Sequence, residues 1–321
     1  MSLATLGHVG QSAPMFTGRG KSLRLFRVSG VDVYVHWSWL FVALWQIENR
    51  SHVYSSLTSA AAEYLGLFAI LLICAFGKVM ATRQVGGRAT GVLLWPLGCT
   101  TYVSSLPRRG AELWRAAAGP LVNVGLFLVF TALLWLDGIP LTAKSLPAVD
   151  DLDRLLRNLW FLNIVVLLFN LLPIYPLDGG RILRTLLWSF LSRARSLYVA
   201  VLCGFLATLA LGYWALYRES IWIGVLAFYL FLTCRRNWER AKGLVVLERL
   251  PQRKELFCPS CHAHPPIGTH WRCQQCGTRI DAFAPPSECP QCKTVFPGTQ
   301  CQYCQESHPI AAWAAGSPLT S

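Results

Sequence analysis

Residues 170–180 read NLLPIYPLDGG. They close an apolar run, residues 159–172, that with its flanks approaches the thickness of a bilayer core. Asn170 and two prolines, Pro173 and Pro176, break the helix at that point. A carboxylate, Asp178, follows, next to Gly179 and Gly180, where the backbone can pass close to a neighbour. Broken helix and a charge at membrane depth are both costly, so together they mark a functional site. The plainer alternative is a membrane helix that ends in an interfacial turn with Asp178 in water. Local physics leaves both open.

The composition belongs to a membrane protein with a polar tail. Hydrophobic residues make up 54% and charged residues 14% of the 321-residue chain, which excludes an ordinary soluble enzyme. The net charge of +13 is clustered, and the positive-inside rule accounts for it more simply than nucleic acid does. The first residues, with Arg19, Lys21, Arg24 and Arg27, are too long and polar before the first apolar run for a cleaved signal peptide.

Hydrophobic patterning predicts an α-helical polytopic membrane protein with about six transmembrane helices, near 33–45, 59–83, 112–136, 155–172, 197–217 and 221–234. A small β element at the membrane surface is expected from the alternation in 23–32 and from 89–96, and residues 180–196 read as a basic amphipathic stretch at the interface. Basic residues gather before the first helix and after the second, fourth and sixth, as Arg83, Arg88, Arg108, Arg109, Arg181, Arg184, Arg193, Arg195, Arg235, Arg236, Arg240 and Lys242. Six crossings with both termini in the cytosol satisfy every loop. The domain reading is a disordered N-terminus (1–22), a membrane domain (23–242), a linker (243–257), a metal-binding domain (258–306) and a disordered tail (307–321). His36, inside the first expected helix, reads as an interfacial or packed residue, because nothing pairs with it at ligand spacing.

The pattern NxxPxxPLDGG resembles the second signature of the site-2 protease family of intramembrane zinc metalloproteases. The resemblance implies that Asp178 stands at the family's third zinc ligand. The family's other signature is HExxH on a membrane helix, with two histidine ligands and a glutamate base. The flanks of that signature are kept here by Phe76, Gly77, Ala81, Arg83, Gly86 and Gly87, then Leu94, Trp95, Pro96, Leu97 and Gly98, where the family reads LWPLGG and this chain LWPLGC. The three chemical positions are Cys74, Ala75 and Lys78. A third feature, GPxxN, is intact as Gly119, Pro120 and Asn123. The resemblance covers roughly the first three quarters of the chain and makes Asn123, Asn170, Pro173 and Pro176 candidates to line a substrate groove, with a surface sheet that pairs substrate as a strand. Helix–helix hydrogen bonding is the alternative role for the two asparagines.

HExxH works because residues i and i+4 share a helix face and aim two imidazoles at one metal, while the glutamate takes a proton from the metal-bound water. Cys74 and Lys78 still share that face. Cysteine can ligate zinc, but a protonated lysine has no lone pair and repels the cation, and Ala75 supplies no base. No catalytic residue and no zinc are therefore expected in the membrane core, and Asp178 is read as a vestigial ligand. We expect Lys78 to pair with Asp178, since each charge alone would cost about 2.5–3.5 kcal/mol at a membrane helix centre. The alternative is that Lys78 snorkels toward the surface near Arg83.

Of twelve cysteines, eight lie after residue 257 in four CxxC pairs. The reading is a small β-rich double zinc ribbon holding two structural Zn2+ ions, with Cys258, Cys261, Cys273 and Cys276 in one site and Cys289, Cys292, Cys301 and Cys304 in the other. Sequence order suggests this pairing, with a cross-brace as the alternative. His262, His264 and His270 read as neighbours of the ligands rather than ligands. Reduced thiols place the domain in the cytosol.

The overall expectation is a pseudoprotease of the site-2 protease type in a membrane, by resemblance the bacterial plasma membrane. It would bind a transmembrane or membrane-associated protein, contact membrane lipid, and engage a cytosolic protein through the ribbon. A living metalloprotease using Cys74, Asp178 and an added ligand is the first alternative. A membrane-tethered nucleic-acid binder is the second, disfavoured because Arg272, Arg279 and Lys293 are sparse and mixed with Asp281 and Glu288.

Overall fold

The computed structural model describes residues 22–50, 52–95, 98–103, 108–139 and 150–314. The expected disordered N-terminus up to residue 21, Pro96 and Leu97, and most of the loop between the third and fourth helices lie outside these residues. The chain divides into two compact units. Of the described residues, one holds those from 22 to 103 and from 113 to 183, the other those from 108 to 112 and from 184 to 314.

The first unit opens with a hairpin, β1 (Ser22–Val28) and β2 (Val31–His36), turning at Ser29 and Gly30, both at positive φ. The sequence placed a membrane helix from residue 33. Instead Val33 to His36 finish β2, because the alternation of Val31, Val33 and Val35 continues past residue 32 and faces the core. Helix α1 (Ser38–Arg50) starts only beyond His36, whose Nδ1 lies 2.7 Å from the Ser38 hydroxyl. Strand β3 (Ala89–Trp95) runs parallel to β2, and β4 (Gly98–Val103) returns antiparallel to β3. The sheet order is β1-β2-β3-β4. Helix α2 (Leu57–Gln84), capped by the Ser56 hydroxyl, lays Ala75 and Val79 against Val31, Val33, Val92 and Leu94. Helices α3 (Arg109–Leu136) and α4 (Asp151–Leu171) follow, then α5 (Asp178–Leu187).

The second unit contains a long hairpin of α6 (Arg193–Tyr217) and α7 (Ile221–Arg249), packed through Tyr198 on Trp238 and Phe205 on Phe231. The expected linker from residue 243 is helix through Arg249. The buried stripe Leu230, Cys234, Asn237, Ala241, Leu244 and Leu247 keeps helical spacing straight through the charged stretch, and no breaker intervenes before Pro251. Residues beyond it are paired as well: Ile267 N–H donates to the Pro251 carbonyl and Arg253 N–H to the Pro265 carbonyl. The small domain adds β5 (Trp271–Arg272) on β6 (Arg279–Ile280), and β7 (Gly298–Gln300) on β8 (Ser307–Pro309). The tail expected to be disordered from residue 307 is therefore ordered as β8 and α8 (Ile310–Ala314), because Trp313 is an apolar anchor, 1% exposed and edge-on to Phe283. Residues 315–321 lie outside the described chain.

Among the described residues, α2, α3 and α6 are long and apolar enough to cross a membrane. Helix α1, at thirteen residues, is only about 20 Å long.

One buried acid ties the first unit together. Glu63, on the second turn of α2, is fully buried and accepts from Gln46 Nε2 (3.1 Å) and Arg50 Nε (2.9 Å) of α1. It also accepts from the Tyr54 hydroxyl (2.6 Å) and Asn158 Nδ2 of α4 (3.0 Å). Replacing it with alanine strands a half-buried guanidinium and three polar groups. We expect Glu63→Ala to cost about 3–5 kcal/mol, read as a lowered unfolding midpoint of the full chain in detergent. An unchanged midpoint would mean that the acid does not join α1, α2 and α4.

Candidate functional site

The motif that opened the sequence reading turns the chain sharply. Helix α4 ends at Leu171, the Ile174 N–H donates to the Leu172 carbonyl, and α5 begins at Asp178 itself. A Cβ on Gly179 would lie 2.2 Å from the Leu171 carbonyl oxygen, so only glycine lets the start of α5 close on the end of α4. Asp178 is thereby fixed, 5% exposed, at the first turn of α5, where a helix dipole favours negative charge.

Helix α2 brings Lys78 to it. The Lys78 ammonium donates to Asp178 Oδ1 at 2.8 Å and lies 2.6 Å from Oδ2, off hydrogen-bond alignment, so the second contact is Coulombic. Both side chains are buried. Snorkelling toward Arg83 is not what the chain does. Gly119 of α3 makes the space: a Cβ there would meet Lys78 Cε at 2.4 Å and Asp178 Oδ2 at 2.8 Å. The intact GPxxN glycine thus accommodates the ion pair.

One turn back on α2, the Cys74 thiol donates to Asn123 Oδ1 at 2.7 Å, and Asn163 Nδ2 donates to the Asn123 carbonyl at 2.9 Å. Asn123 is 1% exposed and serves helix–helix contact. The Asn170 amide is spent on the Val166 carbonyl of its own helix, Pro173 is exposed, and the Pro176 carbonyl accepts from Arg181 Nε. Ala75 lies in the apolar cluster between α2 and the sheet.

Two members of this site were not anticipated. Cys99 of β4 packs against the cluster that holds Ala75 and Val79 of α2. Its signal was legible, since it replaces the last glycine of the LWPLGG pattern. Asn163 is fully buried on α4 and carried no motif.

This donor set does not fit a catalytic zinc. An ammonium with no lone pair occupies the charge-neutralising position against Asp178, the Cys74 thiol is engaged by Asn123, and no general base replaces the missing glutamate. Removing one member of the pair should hurt more than removing both. We expect Lys78→Met alone to cost about 3–5 kcal/mol in detergent unfolding, and Lys78→Met with Asp178→Leu to recover most of it. Additive losses would mean the two charges do not depend on each other.

The cysteine-rich domain is built from four copies of one turn. In each, the first cysteine's carbonyl accepts from the N–H four residues on, and its N–H donates to the carbonyl five residues on. The residue after the second cysteine takes positive φ in all four: His262, Gly277, Lys293 and Gln305. Only one of these is glycine, so the turn itself is the constraint. The thiols gather as Cys258, Cys261, Cys301 and Cys304, and as Cys273, Cys276, Cys289 and Cys292, each set within 4.8 Å of one another. Measured pairs are 3.5–3.7 Å apart. A tetrahedral ion with bonds of about 2.3 Å needs edges of about 3.8 Å, so both sets fit.

The sequential pairing expected from order is therefore wrong. The outer CxxC turns share one site and the inner turns the other, a nested arrangement that is not a cross-brace either. The physical reason is the inner pair of turns, which fold on each other reciprocally: the Thr278 hydroxyl donates to Gln291 and the Thr294 hydroxyl to Gln275. That brings the domain's two ends together. The Cys276 thiol donates to the Thr278 hydroxyl at 3.2 Å, and the Cys292 thiol lies 3.1 Å from the Thr294 hydroxyl. His264 Nδ1 and His270 Nε2 face backbone carbonyls, of Leu256 and Ile267, rather than the thiols.

Residues 60–211 match the profile of peptidase family M50. This stretch, a little under half of the chain, is similar to the peptidase family M50 domain. The chain is 29% identical over 171 residues to a zinc metalloprotease of Methanocaldococcus jannaschii, covering 52% of this chain and 45% of that one. To stage IV sporulation protein FB of Bacillus subtilis it is 28% identical over 206 residues, covering 63% and 64%. The chain thus spans less than two thirds of the length of either relative. A solved site-2 protease from Methanocaldococcus jannaschii superposes with a TM-score of 0.49 and 23% identity, covering 74% of this chain and 100% of that one.

Nesting has a direct readout in metal content. Cys258→Ala with Cys301→Ala should leave about one ion per chain, because both thiols serve one site. Cys258→Ala with Cys273→Ala should remove both. The reverse result would restore sequential pairing.

Proposed function

We propose that this chain is a pseudoprotease of the site-2 protease type, a catalytically inactive membrane protein that binds a transmembrane or membrane-associated protein without cutting it. The observation that carries the reading is the buried Lys78–Asp178 pair, 2.6 Å apart at the family's metal-ligand positions. The lysine supplies the positive charge that would balance Asp178 in a metal centre, without Lewis acidity or an open coordination position.

In this reading the ions at the cysteine sites are zinc, two per chain, and the ribbon is a module for a cytosolic protein. Six crossings, α1 to α4 with α6 and α7, keep both termini and the ribbon on the cytosolic side of a bacterial plasma membrane. Helix α1 is short for this and would thin the bilayer locally. Nucleic acid remains disfavoured on the ribbon's sparse charge.

The divergent metalloprotease that uses Cys74, Asp178 and an added ligand is the second reading. Among the described residues, Cys74, Cys99 and Asp178 do not gather into one set of donors within 4.8 Å of one another, so the geometry supports it less. The test is cleavage of a membrane-anchored reporter. Restoring Cys74→His, Ala75→Glu and Lys78→His together should give a large gain of cleavage over the natural chain, whose metal content should not change with Asp178→Ala. Cleavage by the natural chain that Asp178→Ala abolishes, with loss of one ion, would overturn the proposal.

A further inference from the structure

A second candidate site lies in the other compact unit. Trp188, in the turn after α5, is met by two guanidiniums. Arg109 Cζ lies 5.7 Å and Arg193 Cζ 5.2 Å from the centre of its ring. Among the described residues, no carboxylate pairs with either one. Glu112 lies three residues beyond Arg109 in the first turn of α3, and Glu248 accepts from the Ser192 hydroxyl at 2.6 Å and the Ala194 N–H at 3.0 Å, closing the start of α6. Two like charges are thus held on one indole, and among the described residues neither is in a salt bridge.

Their position is as telling as their number. Arg109 is the first residue of α3 and Arg193 the first residue of α6, both helices long and apolar enough to span. Cations at helix N-termini oppose the helix dipole, so local helix energetics do not account for them. Beside them Leu186 is 50% and Phe190 89% exposed, on the same turn as Trp188. Apolar residues bare to the outside, an indole and two arginines at the level where spans begin match the layers of a lipid: acyl chain, ester region and phosphate.

We propose that Arg109, Trp188 and Arg193 form a binding site for the phosphate of an anionic phospholipid, with Phe190 and Leu186 in its acyl region. Arginine suits this role because its planar fork takes phosphate oxygens two at a time while its face stacks on the ring. The inference rests on α3 and α6 crossing the membrane and is independent of whether the protease site is active.

The test is lipid retained by the full chain, purified in mild detergent from vesicles of phosphatidylcholine containing phosphatidylglycerol and counted by native mass spectrometry. Each arginine near a membrane surface is worth roughly a fivefold change in partition, so Arg109→Gln with Arg193→Gln should lower bound phosphatidylglycerol by roughly twenty-fivefold. Phosphatidylcholine should be unaffected, and so should the metal count, which reports the folded ribbon. Trp188→Leu should weaken phosphatidylglycerol retention in the same direction. If the double variant does not fold, Arg109→Lys with Arg193→Lys keeps the charge and should still lose part of the preference, because lysine neither stacks nor forks. Equal retention by variant and natural chain, or equal loss of both lipids, would overturn the site.

Discussion

A lysine and an aspartate facing each other inside a membrane domain set the terms for everything around them. Neither charge is tolerable there alone, so each fixes the other, and the elements that carry them must meet. Asp178 is held by the glycine-closed turn between α4 and α5, Lys78 by α2, and the gap for both by Gly119 on α3. Four helices therefore converge on one ion pair. In an active family member a metal would impose that convergence. Here an ammonium does, with the same electrostatic balance. This explains why the flanking pattern can persist around three substituted positions: glycines and small residues serve the packing of the site whatever cation fills it.

The ion pair was legible because the two residues belong to motifs with fixed relative positions. Lys78 could be placed by its i+4 relation to Cys74, and Asp178 by the prolines and glycines beside it. Asn163 was not legible, because a single asparagine in an apolar run has no partner that sequence can point to. Glu63 escaped for the same reason, although it organises three elements; its donors come from residues 46 to 158, a pairing that only the fold defines. The reach of β2 past residue 32 was missed because a short run of valines fits a buried strand and a helix start equally well, and periodicity cannot separate them.

The ribbon is a different kind of error. Its ligands were certain from spacing, yet their pairing was not, because spacing fixes which thiols share a turn and says nothing of which turns share an ion. The structure settles it with weak forces. Threonine and glutamine contacts fold the inner turns together, and Trp313 returns to bond the Phe257 N–H, so the outer turns are left facing each other. The tail that looked dispensable by composition completes this closure, since its one tryptophan fills the space beside Phe283.

Nesting also changes what the ribbon can be mechanically. A domain hung on a flexible linker searches for partners independently of the membrane. In this chain α7 runs unbroken to Arg249, the next residues pair with the segment around Pro265, and Arg253 grips Asp281 with two hydrogen bonds of 2.9 and 2.8 Å. The outer metal site then joins the start of the domain to its end. Among the described residues, the segment that leaves α7 is held to the ribbon by backbone hydrogen bonds and by the Arg253–Asp281 pair. A load applied to the ribbon passes into α7 rather than into a loop, and through Glu248 to the first turn of α6, where Arg193 meets Trp188. Within this unit, a partner on the ribbon and a lipid at the membrane surface would act on one continuous body.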